Sequence, residues 1–304
     1  MKTAIVSGAN GFVGQALVRE LAENGYIVYA LHHGTNRSRI PIRKEVIPIS
    51  WELDQIFSLP EKLPSQSYEF FFHLAWTGSS GEARADTALQ LKNAQWTVEA
   101  LRTAHILGCT RFIGAGSIME HETMAACYTQ GNRPGPAYIY GGGKLISHIM
   151  SLPVAAQLNI EIVWASITNA YGVGELSPRL VNSTLRKIIH RESPRFTSGT
   201  QNYDFVYIDD VAKAFRLIAE RGKNFHEYLI GSSTARPLKE FLLEMKAAVS
   251  PDIPFFFGDI PFTGINLPLS SFNTSLTLQD TGFCAQISFA DGCCKTLNWL
   301  RSIE

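Results

Sequence analysis

Thr3-Ala4-Ile5-Val6-Ser7-Gly8-Ala9-Asn10-Gly11-Phe12-Val13-Gly14 is the stretch that decides the fold. Thr3 to Ser7 read as a buried strand, and Val13, Leu17 and Leu21 recur every four residues as the apolar stripe of a helix. Asn24-Gly25 supplies a helix stop, and Tyr26 to Leu31 follows as a second buried strand. Strand, glycine-rich turn, helix and strand within about 30 residues make a dinucleotide-binding unit. Its glycines permit a tight turn and close backbone approach, and the helix N-terminus then faces a pyrophosphate. Gly8, Asn10, Gly11, Phe12 and Val13 are the expected cofactor contacts in this turn.

The end of the second strand bears on which dinucleotide fits. An NAD site usually places an acid there for the ribose hydroxyl, whereas an NADP site supplies cations for the extra phosphate. No Asp or Glu occurs between Glu23 and Glu45, and His32, His33, Arg37 and Arg39 occupy the region. This predicts NADP, with His33 and Arg37 as phosphate contacts and NAD as the alternative. A basic exposed loop that touches nothing is the other reading of the same residues.

Further along, Glu45 to Ile49 and the apolar Glu69 to Trp76 read as strands, and Asp86 to Leu107 as a long helix. Thr110 to Ala115 is the next strand, ending in Gly116-Ser117. Ligands of open parallel sheets bind beyond the carboxyl ends of strands, which puts the Ser117 hydroxyl where chemistry happens. Tyr140 and Lys144 stand four apart and share one helical face. An ammonium beside a phenol favours the phenolate, which suits Tyr140 to acid/base work on a carbonyl or alcohol oxygen. Gly141, Gly142 and Gly143 between them weaken a helix, and close approach of a flat ligand is one reason to keep them. The helix should run towards Leu158 with a kink or break at Pro153, before a buried strand over Glu161 to Ile167. Strands alternating with helices imply an α/β, Rossmann-like, doubly wound parallel sheet.

Composition narrows the function classes. The 304 residues carry 27 basic and 27 acidic side chains, without the basic excess of nucleic-acid or membrane-surface binders. No charged-then-apolar leader is read at the N-terminus and no apolar run is long enough to span a bilayer. Five cysteines lack metal-ligand spacing, and no His/Cys/Asp cluster suggests a catalytic metal. Packed thiols in a reducing cytoplasm are expected.

Gly8/Gly11/Gly14, Ser117, Tyr140/Lys144 and Asn169-Ala170-Tyr171-Gly172, in this order, resemble the extended short-chain dehydrogenase/reductases. The likeness is to their nucleotide-sugar epimerase/dehydratase group. It extends to Tyr203-Asp204-Phe205-Val206-Tyr207-Ile208-Asp209-Asp210-Val211-Ala212, similar to the family's segment that re-enters the first domain. The resemblance implies that Tyr140 is the acid/base, that Lys144 holds the nicotinamide ribose, and that Ser117 orients the reacting oxygen. It places Ala75, of His73-Leu74-Ala75, beside the cofactor, and it offers Asn169, of the Asn-x-Tyr-Gly motif, as a substrate contact. It also implies a Rossmann domain over residues 1–171 with 203–230 returning to it. Residues 172–202 and 231–304 would then form a smaller substrate-binding lobe, and a homodimer would form through the two long helices. Three departures stand out. Ile118-Met119 follow Ser117 where dehydratases carry an Asp-Glu pair, and Glu120 matches that pair poorly. Dehydration is therefore not expected. Tyr203 and Ser166 stand where the family often carries arginines, so the substrate's diphosphate is either held by other residues, with Arg179, Arg186 and Lys187 as candidates, or absent. The leading expectation is reduction of a keto group, at C4, on a nucleotide sugar. A 4-epimerase is the alternative, and a non-catalytic NADP-binding regulatory protein the third reading.

Overall fold

Along the first strand, β1 (Lys2–Ser7), Ala4 and Val6 serve one side of a sheet and Ile5 the other, and all three are fully buried. Such a strand needs helices on both faces. The computed structural model describes residues 2–34 and 39–304 and has that arrangement. Arg37, one of the two phosphate contacts expected, lies outside the described residues.

β2 (Tyr26–His32), β3 (Val46–Ser50), β4 (Tyr68–His73), β5 (Cys109–Ser117) and β6 (Glu161–Ile167) join β1 in the main sheet. Two short strands, β7 (Asn169–Tyr171) and β8 (Phe205–Tyr207), pair with each other in parallel. A later strand, β9 (His226–Ile230), completes the main sheet beside β6. The order is β9-β6-β5-β4-β1-β2-β3, seven strands with every neighbouring pair parallel.

The longer helices are α1 (Phe12–Glu23), α2 (Thr87–Ile106), α3 (Met119–Tyr128), α4 (Tyr138–Leu158), α5 (Leu180–Ile189), α6 (Ile208–Arg221), α7 (Leu238–Val249) and α8 (Phe289–Ile303). Leu17 and Leu21 of α1 and Val211 and Phe215 of α6 cover Ala4, Val6, Phe72 and Ile113 on one face. Leu101 of α2 and Val154 and Ala155 of α4 cover Ile5, Phe71, Phe112 and Ile162 on the other. This is the expected doubly wound α/β sheet. The order in which strands are added reverses at β1, with β2 and β3 to one side and β4 to the other, so a crevice opens at the carboxyl ends of β1 and β4.

Two details differ from the sequence reading. β4 stops at His73 rather than at Trp76 because the Leu74 and Ala75 N–H groups donate to Ser7 Oγ, at 3.1 and 3.2 Å. Pro153 lies inside α4 without ending it. The carbonyl that a proline leaves free belongs to the residue four earlier, here Ile149, which is exposed on the single chain. Phe255 and Phe257 pack on Phe196 with ring centroids 5.3 and 5.4 Å away and extend the core.

Candidate active site

Gly8 turns the chain from β1 towards α1 at φ +70°, a conformation costly to any residue with a Cβ. A Cβ at Gly8 would sit 2.8 Å from the Ala75 nitrogen, and one at Gly14 only 2.0 Å from the Gly8 carbonyl oxygen. The turn is thus closed against β4 by residues that can only be glycine. Gly11 caps α1 with no side-chain hydrogen bond, and the first N–H groups of a helix have no intrahelical partner. Phe12, Val13 and Gly14, which carry those groups, line a cavity of about 690 Å³.

The same cavity is lined by Asn10, His33, Ala75, Ser117, Tyr140, Lys144 and Arg179. The sequence candidates therefore converge, with Asn169 the exception among those described. Its side chain donates to the Asp204 carbonyl at 3.0 Å and stitches β7 to β8, while Thr168 and Ala170 reach the cavity.

Ser117 ends β5, and its Oγ accepts the Met119 N–H at 3.2 Å, which leaves its O–H as a donor beside Tyr140. Tyr140 is buried under the Arg84 guanidinium, 4.3 Å above its ring centroid, and edge-on to Trp76. Burial raises the Tyr140 pKa, and Arg179 first and then Arg84 pull it back, with a smaller opposing push from Glu120 and help from Ser117. The cations that oppose the burial are these two arginines rather than Lys144. The Lys144 ammonium is instead held by the Ala115 carbonyl at 2.8 Å and stands 3.8 Å over the Trp76 ring.

Burial lowers the Lys144 pKa to about 7 from 10.5, and Glu120 limits the drop. Between these values the unfolded chain holds a proton that the folded chain has lost, so stability from this group rises with pH across that window. Lys144→Met should remove that rise. Denaturation of both proteins as a function of pH checks it, and parallel curves would contradict it.

The glycines within α4 serve a different purpose from the one expected. A Cβ at Gly141 would meet Thr123 Oγ1 at 2.0 Å and the Met119 carbonyl at 2.5 Å, and one at Gly143 would crowd Gln90 at 3.1 Å. They let α3 and α2 approach α4, while Gly142 has nothing within 4 Å. His73 is a packed core histidine: Ser7 Oγ lies 3.0 Å from its Nδ1, its ring stacks on Phe112, and burial pushes its pKa down to about 3.

Several site residues escaped the sequence reading. Trp76, one residue past His-Leu-Ala, had a positional signal that went unused. Arg84 sits in a short 3₁₀ turn with no periodicity to mark it. Glu52 lines the cavity and accepts the Gly34 N–H at 2.9 Å, so an acid absent from β2 is supplied by the segment after β3.

Known proteins fit this picture. The profile of the NAD dependent epimerase/dehydratase family matches residues 4–231. A UDP-glucose 4-epimerase of Mycolicibacterium smegmatis is 23% identical, with 98% of each chain covered. A CDP-abequose synthase of Salmonella typhimurium is 26% identical over 81% of each. Other curated relatives are longer, and this chain spans 63% of one and 57% of another. A solved UDP-N-acetylglucosamine 4-epimerase from Methanobrevibacter ruminantium M1 shares the fold, with TM-score 0.83 at 18% identity over 100% of this chain and 99% of that one. The chain belongs to the NAD dependent epimerase/dehydratase family, the nucleotide-sugar group of extended short-chain dehydrogenase/reductases, and is an enzyme of that group.

Proposed function

We propose that this enzyme reduces a keto group, at C4, of a nucleotide-activated sugar with NADP as cofactor. The observation that carries the reading is the meeting of Ser117, Tyr140 and Lys144 in one cavity with the glycine turn. That cavity fits a dinucleotide: unpartnered helix N–H groups suit a pyrophosphate, and the turn is tight enough to bring it close. Gly8, Asn10, Gly11, Phe12 and Val13 would hold its phosphates, and Ala75, Tyr140 and Lys144 its nicotinamide end. When bound, the cofactor supplies the hydride.

The chain's own residues handle the oxygen. Ser117 donates a hydrogen bond from its hydroxyl to the substrate carbonyl and fixes its direction. Tyr140 delivers the proton that turns the developing alkoxide into an alcohol. Lys144 orients the ribose and adds positive charge to the site. Arg179, with Arg84 across the Tyr140 ring, suits a substrate carrying a diphosphate. Residues 172–202 and 231–304 form the lobe that supplies the sugar side of the cleft. Exposed Leu91 and Ile106 on α2 and Ile146, Ile149 and Met150 on α4 support a homodimer through these helices. Five free cysteines accord with a cytoplasmic enzyme.

His33 lines the cavity, as does Arg39, and both support the NADP reading; Glu52 is the feature that favours NAD. His33→Ala combined with Arg37→Ala should raise the KM for NADPH by roughly 10-fold or more and leave that for NADH nearly unchanged. Equal effects on both cofactors would remove the assignment. The function itself is tested by mixing the protein with NADPH, or with NADH, and nucleotide-linked 4-keto sugars. Net NADPH oxidation supports the reductase. The second reading, a 4-epimerase, is favoured by the names of the Mycolicibacterium and Methanobrevibacter relatives. It predicts product without net cofactor consumption.

A further inference from the structure

Glu120 stands three residues after Ser117 and matches no acid of the family's dehydratases, yet only 1% of it is exposed. A carboxylate buried this deeply is tolerated only when paired and hydrogen-bonded. Its Oε1 accepts the Ser117 backbone N–H at 2.9 Å and the Trp164 indole N–H at 3.2 Å. Its Oε2 faces His148 Nδ1 at 3.1 Å. Trp164 lies on β6 and Ser117 ends β5, whereas His148 lies on α4, one turn beyond Lys144 and on the same face. One carboxylate therefore ties the strand end that carries Ser117 to the helix that carries Tyr140 and Lys144.

The surroundings are built for this contact. The His148 ring lies flat on Trp164, centroids 4.5 Å apart and planes within 4°. Gly116 leaves room for the indole, since a Cβ there would come within 2.4 Å of Trp164 Nε1 and of Ser166 Oγ. Three elements and one glycine thus fix a single acid behind the site.

We propose that Glu120, held by His148, is a positioning residue of the Ser117–Tyr140–Lys144 site: it sets the Ser117 backbone and acts as the buried counter-charge to Lys144. Its effect on turnover rests on the oxidoreductase reading, whereas its effect on Lys144 does not. The titratable groups that face Lys144 from other elements are His73 on β4 and Glu120 on α3. Those that face Tyr140 are Arg84, Arg179 and again Glu120. Glu120 is the one acid among them, and its charge supports protonated Lys144.

The test follows the Lys144 ε-carbon resonance of the full chain, labelled at lysine and assigned by its loss in Lys144→Met, as pH is varied. Glu120→Gln keeps the shape and removes the charge, and should lower the Lys144 midpoint by about one pH unit. His148→Gln removes the group that holds Glu120 and should lower the midpoint as well, by less. Midpoints that do not move, or that rise, overturn the proposal; a purely structural Glu120 predicts the former. Should Glu120→Gln fail to fold, the His148→Gln titration decides alone, an unmoved midpoint being the contrary result. In the NADPH assay, Glu120→Gln should lose roughly 10-fold in kcat with KM for NADPH nearly constant, and Glu120→Asp should recover part of it. A wild-type protein that reduces no keto sugar would count against the oxidoreductase reading, and the titration would still stand.

Discussion

Tyr140→Phe should lower turnover by about a thousand-fold, within the 10²–10⁴ range of a lost general acid. The loss is expected in kcat, because the phenol proton matters only as charge develops on the substrate oxygen. Cofactor affinity should change little. The phenylalanine ring keeps its edge-on contact with Trp76 and its place beneath Arg84, so the cavity wall stays where it was. Ser117 and Lys144 would still hold the oxygen and the ribose, which leaves a residual rate above that in solution. Steady-state kinetics with a binding titration of NADPH separate these terms. Unchanged kcat would remove Tyr140 from the mechanism, and a loss confined to cofactor affinity would make it a binding residue.

The second large effect is on the turn. Gly14→Ala puts a methyl group 2.0 Å from the Gly8 carbonyl oxygen, backbone against backbone, where no flexible side chain can give way. Overpacking in a core usually costs 1–3 kcal/mol, and a rigid neighbour of this kind puts the expected loss at about 3 kcal/mol or more. The first turn of α1 must shift outward, which also breaks the pyrophosphate cradle. Both Tm and cofactor binding should fall. Gly142→Ala is the control: nothing lies within 4 Å of its Cβ, and alanine in mid-helix gains up to about 1 kcal/mol over glycine. Thermal melts of the two variants with and without NADPH check both halves. A stable, cofactor-binding Gly14→Ala protein would show that the turn is looser than its geometry.

How far these features were legible depended on how local they were. The Gly8–Gly14 turn announces itself because strand, turn and helix are contiguous, and period and glycine spacing are properties of one short window. Tyr140 and Lys144 are legible by their four-residue spacing, and Ser117 by its place at the end of an apolar run. What escaped depends on partners far away in sequence. Nothing near Gly141 tells that Thr123 and Met119 will press on it, so a packing requirement looked like room for a ligand. Glu120 read as an ill-placed dehydratase acid because Trp164 and His148, which explain it, are 44 and 28 residues away. Arg84 reaches the Tyr140 ring from a turn whose position is set by tertiary packing alone. Asn169 is a further case: its motif position suggested a substrate contact, and its side chain donates to the Asp204 carbonyl, 35 residues away in sequence.

The measurement that bears most directly on the central claim is the fate of the transferred hydrogen. NADPH labelled with deuterium at the transferring carbon would be incubated with the enzyme and a nucleotide-linked 4-keto sugar, and the product analysed by mass and NMR. A ketoreductase leaves one deuterium on the former carbonyl carbon and oxidises one NADPH for each product formed, and this is the expected result. A product without deuterium, made with no net loss of NADPH, would contradict it.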